Sequence, residues 1–210
     1  FYDRSKAILE ELEAAQQEVL NSGGALNGML RISTPLSFGV AHMSAAISQF
    51  MHAHPEIRIE MDLSDKRVDL VAEGFDLAIR IGVLSDSSLI AKKISWVRKI
   101  PCAAPDFLER YPKITKPEDL NGAPGLVYSN DKSPADWAYT SPDGEEGVMR
   151  VAPKLTASNG DVLREAAIAG LGITCLPDFL HYDAINNGLL RPVLADYDWT
   201  GFDVFAVYPK

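Results

Sequence analysis

The sequence predicts an α/β protein built from two units of alternating strands and helices, preceded by one linker helix. Three observations support this fold class. Strand-like and helix-like segments alternate over residues 30–81, and a similar alternation recurs over residues 125–186. A last strand, residues 204–208, has no helix after it, which is typical of a strand that inserts into an existing sheet. We therefore expect two Rossmann-like lobes joined by two crossing strands, near residues 95–103 and 203–208.

Composition and charge limit the classes of function. The 210 residues are 47% hydrophobic and 23% charged, which is ordinary for a globular protein. The formal net charge of -9 is unfavourable for binding a phosphate backbone or an anionic membrane. No apolar run reaches the roughly 18 residues of a membrane span. The two cysteines, Cys102 and Cys175, lie among apolar residues and are interpreted as buried thiols of a cytoplasmic protein.

Residues 1–24 are interpreted as a separate linker helix. Four apolar residues are spaced four, three and four positions apart, as along the seam of a coiled coil: Ile8, Leu12, Ala15 and Val19. The Asn-Ser-Gly-Gly stretch at 21–24 then ends the helix. This spacing fits a dimerisation helix, and it fits equally a solvated helix that packs on its own domain.

In the first unit, apolar residues recur with period two in three segments and with helical spacing in two. The predicted elements are a strand at 30–34, a helix at 37–53, a strand at 57–63, a helix at 68–73 and a strand at 75–81. Strand and helix lengths of this kind indicate a parallel, doubly wound sheet with right-handed crossovers.

The second unit follows an extended segment at 88–103. Its predicted elements are a helix at 106–110, a strand at 125–128, a hairpin with strands at 137–140 and 148–151, a strand at 154–157, a helix at 161–169, a strand at 173–176 and a helix at 178–186. Trp137 is interpreted as part of the hairpin core. A ligand is expected in the crevice outside the carboxyl ends of the strands.

Several short motifs follow one another in a specific order along residues 26–210. They are LRISTP at 30–35, HPEI at 54–57, VDLVAEGFDLAIRIG at 68–82, PCAAPDFL at 101–108, LNG at 120–122 and AGLGITCLP at 169–177. In this order the chain resembles the effector-binding domain of LysR-type transcriptional regulators. The resemblance implies a type 2 periplasmic-binding-protein-like fold, with lobe I at 26–98 plus 204–210 and lobe II at 99–203.

The resemblance also implies a role within a larger regulator. Residues 1–24 resemble that family's linker helix, which dimerises, and the lobes are expected to pair side by side in a homodimer, or in a tetramer of the full-length regulator. The winged helix-turn-helix domain, which binds promoter DNA, is expected N-terminal to Phe1 and absent from this chain. The expected function is therefore effector sensing and oligomerisation, without a membrane partner.

Two segments with hydroxyl and amide side chains precede predicted helices in equivalent places. Ser33 and Thr34 come before the helix at 37–53, and Asn159 comes before the helix at 161–169. Free backbone N–H groups at a helix start, with a side-chain donor beside them, suit a carboxylate. Ordinary N-capping is the alternative explanation of each segment. The resemblance assigns Ser33 and Thr34 to the effector contacts, and we expect a small, anionic organic effector.

Further candidate effector contacts lie near the expected crevice. They are Pro35, Arg80, Pro101, Cys102, Tyr128, Ser129 and Ile173. Arg80 is placed near the carboxyl end of its strand, where it either binds an anion or pairs with an acidic neighbour. Tyr128 and Ser129 offer hydroxyls, whereas Cys102 and Ile173 offer apolar contacts.

The motifs of enzymes and metal sites are missing or lie in the wrong local structure. A Ser-x-x-Lys match at 129–132 falls in a predicted turn, whereas that nucleophile motif needs a helix. His52 and His54 are interpreted as surface histidines near a helix end. We therefore expect no enzyme, no cofactor and no metal. The alternative function is a solute-binding protein of a transport system, which shares the two-lobed architecture but would carry a leader or lipid anchor.

Overall fold

The chain folds around one nine-stranded mixed sheet, as seen in a computed structural model that describes residues 26–66, 68–84 and 88–210. The predicted dimerisation residues lie outside these ranges: Ile8, Leu12, Ala15 and Val19. Within the described residues, no helix has the length and apolar character needed to cross a membrane.

The helices and strands follow the predicted order. The strands are β1 (Gly28–Thr34), β2 (Ile57–Leu63), β3 (Leu77–Ile81), β4 (Ile90–Ala103), β5 (Pro124–Tyr128), β6 (Asp136–Thr140), β7 (Glu146–Arg150), β8 (Ala152–Ala157), β9 (Ile173–Pro177), β10 (Arg191–Pro192) and β11 (Trp199–Tyr208). The helices are α1, which comprises Leu36–Phe38, a π-helical segment Gly39–Met43 and Ser44–Ala53, then α2 (Leu70–Glu73), α3 (Pro105–Arg110), α4 (Gly160–Ile168) and α5 (Asp178–Asn186). A 3-10 helix, Pro117–Leu120, precedes β5.

The first unit, residues 26–84, contributes three parallel strands in the order β2-β1-β3. The short helix α2 between β2 and β3 has its start and its end specified by local chemistry. The Asp69 carboxylate accepts hydrogen bonds from the backbone N–H groups of Val71 and Ala72, both at 3.1 Å, which caps the helix. Gly74 ends it at φ +69°, a left-handed conformation that favours glycine.

The second unit, residues 104–198, contributes a second parallel set in the order β9-β5-β8. The β6–β7 hairpin forms a separate two-stranded sheet. Trp137 of this hairpin is 4% exposed and packs in the unit's core, as predicted. Each unit therefore has the strand–helix–strand arrangement that the sequence indicates.

Two long antiparallel strands connect the two parallel sets. The terminal strand β11 inserts between β3 and β4, and β4 continues on its other side to β9. The predicted insertion of the last strand is thus confirmed. The expectation of a parallel sheet holds only within each unit, because the strands that join them are antiparallel.

The buried apolar residues form separate clusters. Phe38 and Val204 belong to a cluster of the first unit and the crossing strands, whereas Leu126 and Trp199 belong to two clusters of the second unit. The segments after the parallel strands of the two units are joined by hydrogen bonds. This arrangement positions the polar site described next.

Candidate functional site

Polar side chains from both units meet just beyond the carboxyl ends of the parallel strands. Ser37 follows β1, Asp65 follows β2, Asn130 follows β5, and Asn159 and Asp161 follow β8. We call these five residues the inter-unit cluster. Their sequence separations reach 124 residues, so only the fold brings them together.

Three hydrogen bonds cross between the units in this cluster. The Nδ2 of Asn159 donates to the Asp65 carboxylate at 3.3 Å, and the Nδ2 of Asn130 donates to the Asp65 backbone carbonyl at 3.3 Å. The Ser37 hydroxyl donates to the Asp161 carboxylate at 2.6 Å. Asp65 is therefore the residue through which the first unit contacts two asparagines of the second.

The carboxylate of Asp65 is held in an unfavourable environment. Burial is the main cause that raises its pKa, and the negative charge of Asp161 raises it further. Hydrogen bonds from Asn159 and from the Leu36 backbone N–H act in the opposite direction. Among the described residues, no salt bridge includes Asp65. By contrast, Asp161 has a salt bridge with Arg164 at 2.7 Å.

Asn159 has two roles at once. Its Oδ1 accepts from the backbone N–H groups of Asp161 and Val162, at 3.0 and 3.3 Å, and so caps α4. Its Nδ2 points to the first unit and donates to Asp65. The capping explanation of this residue is therefore confirmed, and the same side chain also faces the crevice.

Ser33 and Thr34 are both fully buried and have different surroundings. The Ser33 hydroxyl accepts hydrogen bonds from two guanidinium nitrogens of Arg80, each at 3.3 Å. The Thr34 hydroxyl has no hydrogen-bond partner among the described residues, and its oxygen is shielded from solvent. Side chains of consecutive strand residues point to opposite faces, so the two hydroxyls do not act as one pair. Pro35 immediately precedes the helical segment Leu36–Phe38.

Tyr128 and Ser129 lie at the end of β5 as predicted. The Tyr128 hydroxyl accepts from the Nδ2 of Asn130 at 3.2 Å, and burial together with the charge of Asp65 raises the pKa of Tyr128 to about 12. The tyrosine therefore stays neutral beside the inter-unit cluster. Ser129 is exposed and has a hydrogen bond of 3.5 Å with the neighbouring Asn130.

Lys99 on the crossing strand β4 and Asp131 in the loop after β5 interact electrostatically. Lys99 is only 8% exposed, and its ammonium lies 5.0 Å from the ring centroid of Phe202. Burial raises the pKa of Asp131, and the charge of Lys99 opposes that shift. A buried lysine stabilised by an aromatic face supplies positive charge to this part of the molecule.

Three predicted contacts are buried. Cys102 and Ile173 are both 0% exposed and pack in the second unit's clusters, and Pro101 is also buried. Ile173 is the first residue of β9, at the end of the strand opposite to Pro177, and Cys102 pairs near it with Thr174. Their assignment as apolar effector contacts stays a prediction.

The two cysteines occupy opposite faces of the sheet. Cys175 lies opposite Pro101 and Cys102 opposite Thr174, so their side chains point away from each other. Burial raises the pKa of both thiols to about 12. Both residues are thus neutral, unpaired thiols of the core. In the part of the chain that the structure describes, no group of three metal-ligating side chains occurs.

Four residues of the inter-unit cluster, and also Lys99, are not among the contacts predicted from the sequence. The missed cluster residues are Ser37, Asp65, Asn130 and Asp161. Each of the four lies two to four residues past the carboxyl end of a parallel strand. That position was a usable signal, since ligands of α/β sheets bind at this edge. No local signal identifies Lys99, which lies inside a long strand.

A shallow pocket of about 360 Å³ lies near the crossing strand, away from the predicted contacts. Its lining residues are Phe38, His42, Ser95, Trp96, Val97, Asp178 and Phe179. Phe38, His42 and Phe179 form a cluster of rings with centroids 4.9 to 5.9 Å apart. None of the ten predicted effector contacts is among the described residues of this lining.

Comparison with known proteins identifies the family. The profile described as LysR substrate binding domain matches residues 23–210. An uncharacterized HTH-type transcriptional regulator of Haemophilus influenzae is 34% identical over 210 residues, which is 100% of this chain and 73% of that protein. The HTH-type transcriptional regulator CrgA of Neisseria meningitidis serogroup C is 30% identical over 93% of this chain, which spans 65% of that relative's length.

Solved structures agree with this result. The full-length structure of the Vibrio cholerae virulence activator AphB, a member of the LTTR protein family, matches with a TM-score of 0.78 and 32% identity. This match covers 100% of the present chain and 71% of the AphB chain. The regulatory domain of Neisseria meningitidis CrgA matches with a TM-score of 0.74 and 29% identity over 88% of this chain and 90% of that one. The relatives named here are transcriptional regulators and not enzymes. Because the profile matches residues 23–210, the chain belongs to the LysR family of transcriptional regulators, as a substrate-binding domain.

Proposed function

We propose that this domain senses a small organic anion in the crevice between its two units and transmits binding to promoter recognition by the whole regulator. In this proposal the first unit and its parts of the crossing strands form lobe I, residues 26–98 plus 204–210. The second unit and the remaining parts of these strands form lobe II, residues 99–203. A change in their relative angle on binding would alter the geometry of the assembled regulator. Effector and DNA then change each other's affinity reciprocally.

The inter-unit cluster is the observation that supports this proposal. It lies at the carboxyl ends of the parallel strands, where ligands of α/β sheets bind. At the carboxyl end of β1, the Thr34 hydroxyl is fully buried and has no partner among the described residues. A buried hydroxyl without a hydrogen bond is costly, and a ligand oxygen would satisfy it.

An anionic effector is favoured by the donors near the crevice. The Arg80 guanidinium hydrogen-bonds the Ser33 hydroxyl near the carboxyl end of β1. The Leu36 backbone N–H and the Nδ2 of Asn159 already bind one carboxylate, that of Asp65. Hydrogen bonds from such donors to a charged acceptor are stronger than neutral ones. Tyr128 and Ser129 are proposed as additional contacts at the edge of the site.

Calorimetric titration of the 210-residue chain tests the proposal. The probes are acetate, benzoate, succinate and citrate, with methylamine and glycerol as cationic and neutral comparisons. We expect at least one carboxylate to bind and Arg80→Leu to weaken its binding. Lys210→Leu is the matched control, because it removes one exposed cation elsewhere. Binding of the amine alone, or equal binding to both variants, would contradict an anion site at this crevice.

We also propose that the regulator is a cytoplasmic homodimer. The interface would include the heptad residues Ile8, Leu12, Ala15 and Val19, which an isolated helix leaves exposed to water. Sedimentation of the chain with and without residues 1–24 tests this. A monomer at micromolar concentration that is unchanged by the deletion argues against a dimer held by this helix.

A further inference from the structure

The Asp65 carboxylate lies in the crevice as a ligand of the opposite unit. It is tethered to the first unit by the loop after β2, yet its Oδ2 accepts from the Nδ2 of Asn159, 94 residues away. Its backbone carbonyl accepts from Asn130, which binds Tyr128 as well. Asp65 thus joins the β2 loop to the segments that follow β5 and β8.

The donors used by Asp65 are the ones proposed above for the effector. The Leu36 N–H comes from the start of α1, two residues after Thr34, and Asn159 precedes α4. A carboxylate of the protein therefore accepts from donors of both units. An anionic effector that uses these donors has to compete with Asp65 for them.

Among the described residues the Asp65 carboxylate has hydrogen bonds but no salt bridge, so a competing carboxylate has no ion pair to break there. Burial and the nearby charge of Asp161 both raise the pKa of Asp65, so its ionised form is disfavoured here relative to water. In contrast, Asp161 is supported by Arg164 at 2.7 Å and by the Ser37 hydroxyl. A ligand that also satisfies the unpartnered Thr34 hydroxyl gains an interaction that Asp65 does not make.

We propose that Asp65 is an intramolecular latch whose carboxylate occupies the anion position of the crevice and holds the two units together until an effector displaces it. This inference rests on the proposed function of the crevice. In the latched state the Asp65 carboxylate accepts the inter-unit hydrogen bond from Asn159 that the effector's carboxylate later accepts. Effector binding is then an exchange of one carboxylate for another.

Distance measurements between the units test the latch. Spin labels are attached at Val71→Cys in α2 and Tyr182→Cys in α5, both 66% exposed in the parent chain. The two native cysteines are buried and unreactive by comparison. The label distance is compared in the 210-residue chain for the parent, Asp65→Ala, Asp65→Asn and Asp143→Asn. The last variant removes a charge from an exposed turn and serves as the control.

Removal of the carboxylate is expected to open the crevice. Loss of one charged hydrogen bond changes an equilibrium on the order of tenfold or more, so Asp65→Ala should shift the distance distribution while Asp143→Asn matches the parent. Acetate at millimolar concentration should then restore the parent distribution in Asp65→Ala, because it fills the vacated carboxylate position. Asp65→Asn loses the charge but keeps an acceptor oxygen, so it should open less than Asp65→Ala and ignore acetate, since its amide occupies that space.

Three results would overturn the latch. The first is an unchanged distribution in both Asp65 variants with native circular dichroism. The second is an open Asp65→Ala variant that acetate does not close, and the third is an equal acetate response in Asp65→Asn. None of them requires the physiological effector, so failure of the latch is distinguishable from failure of the proposed function, which fails if no carboxylate binds the parent chain.

Discussion

Replacement of Thr34 by Val is expected to stabilise the folded chain and to weaken its affinity for carboxylates. The two side chains have nearly the same shape, but valine has a methyl group in place of the hydroxyl. In the structure this hydroxyl is fully buried and has no hydrogen-bond partner among the described residues. An ordinary buried threonine, whose hydroxyl is bonded, would give the opposite effect on stability.

The magnitude follows from the cost of the unpaired hydroxyl. An unsatisfied buried polar group costs about 1–3 kcal/mol, and its removal should raise the free energy of unfolding by a similar amount. For a domain of this size, each kcal/mol corresponds to roughly 2–4 °C in Tm. A bound carboxylate, by contrast, loses a hydrogen bond worth about 1.5–3 kcal/mol, so its affinity should fall at least roughly tenfold.

The assay combines thermal unfolding with calorimetric titration of a carboxylate that binds the parent chain. Thr174→Val is the matched control, because Thr174 is also 0% exposed with an unpartnered hydroxyl, but lies in β9 inside the second unit. We expect both variants to gain stability and only Thr34→Val to lose affinity. A destabilised Thr34→Val, or equal affinities in all three chains, would refute the reasoning.

Two further predictions concern stability. His181 is 0% exposed, and its pKa is lowered to about 4, mainly by burial and further by the charge of Arg164. Between pH 6.5 and 4 the unfolded chain therefore binds one more proton than the folded chain. The free energy of unfolding that is present above pH 6.5 should fall by about 1.4 kcal/mol per pH unit over this range. Urea unfolding of the parent and of His181→Leu at several pH values measures the difference, and equal slopes would contradict a buried neutral histidine. Gly172→Ala should destabilise the second unit by about 1–3 kcal/mol, because the added Cβ meets the backbone carbonyl of Pro124. Thermal unfolding measures this effect. An unchanged Tm would contradict the close packing of Gly172 against β5.

The element order could be predicted because its signals are local. Asp69 and Gly74 mark the two ends of α2, and Asn159 marks the start of α4. The boundaries differ from prediction mainly at strand ends, as for β11, which starts five residues before the predicted 204. The π-helical segment Gly39–Met43 lies inside the helix predicted at 37–53, and the apolar spacing there does not distinguish it from an α-helix.

The candidate site was predicted only in part. Ser33, Thr34 and Asn159 lie at the carboxyl edge of the sheets, where the positions of strand ends place them. Cys102 and Ile173 were assigned to the crevice but are buried in the cores. Central strands that are buried on both faces consist of continuous apolar runs. Their sequence pattern therefore does not predict which side chain lines a cavity.

The sequence by itself determined the fold class, the family resemblance and the polar strand ends, because each depends on residues that are near one another in the chain. The tertiary structure alone decided which polar groups meet across the crevice. Asp65 and Asn159 are 94 positions apart, and Ser37 and Asp161 are 124 apart. Their contact depends on β4 and β11, which pair antiparallel and bring the two parallel sets to face each other. The pattern of residues within one segment cannot predict these contacts, because they depend on how the two units pack against each other.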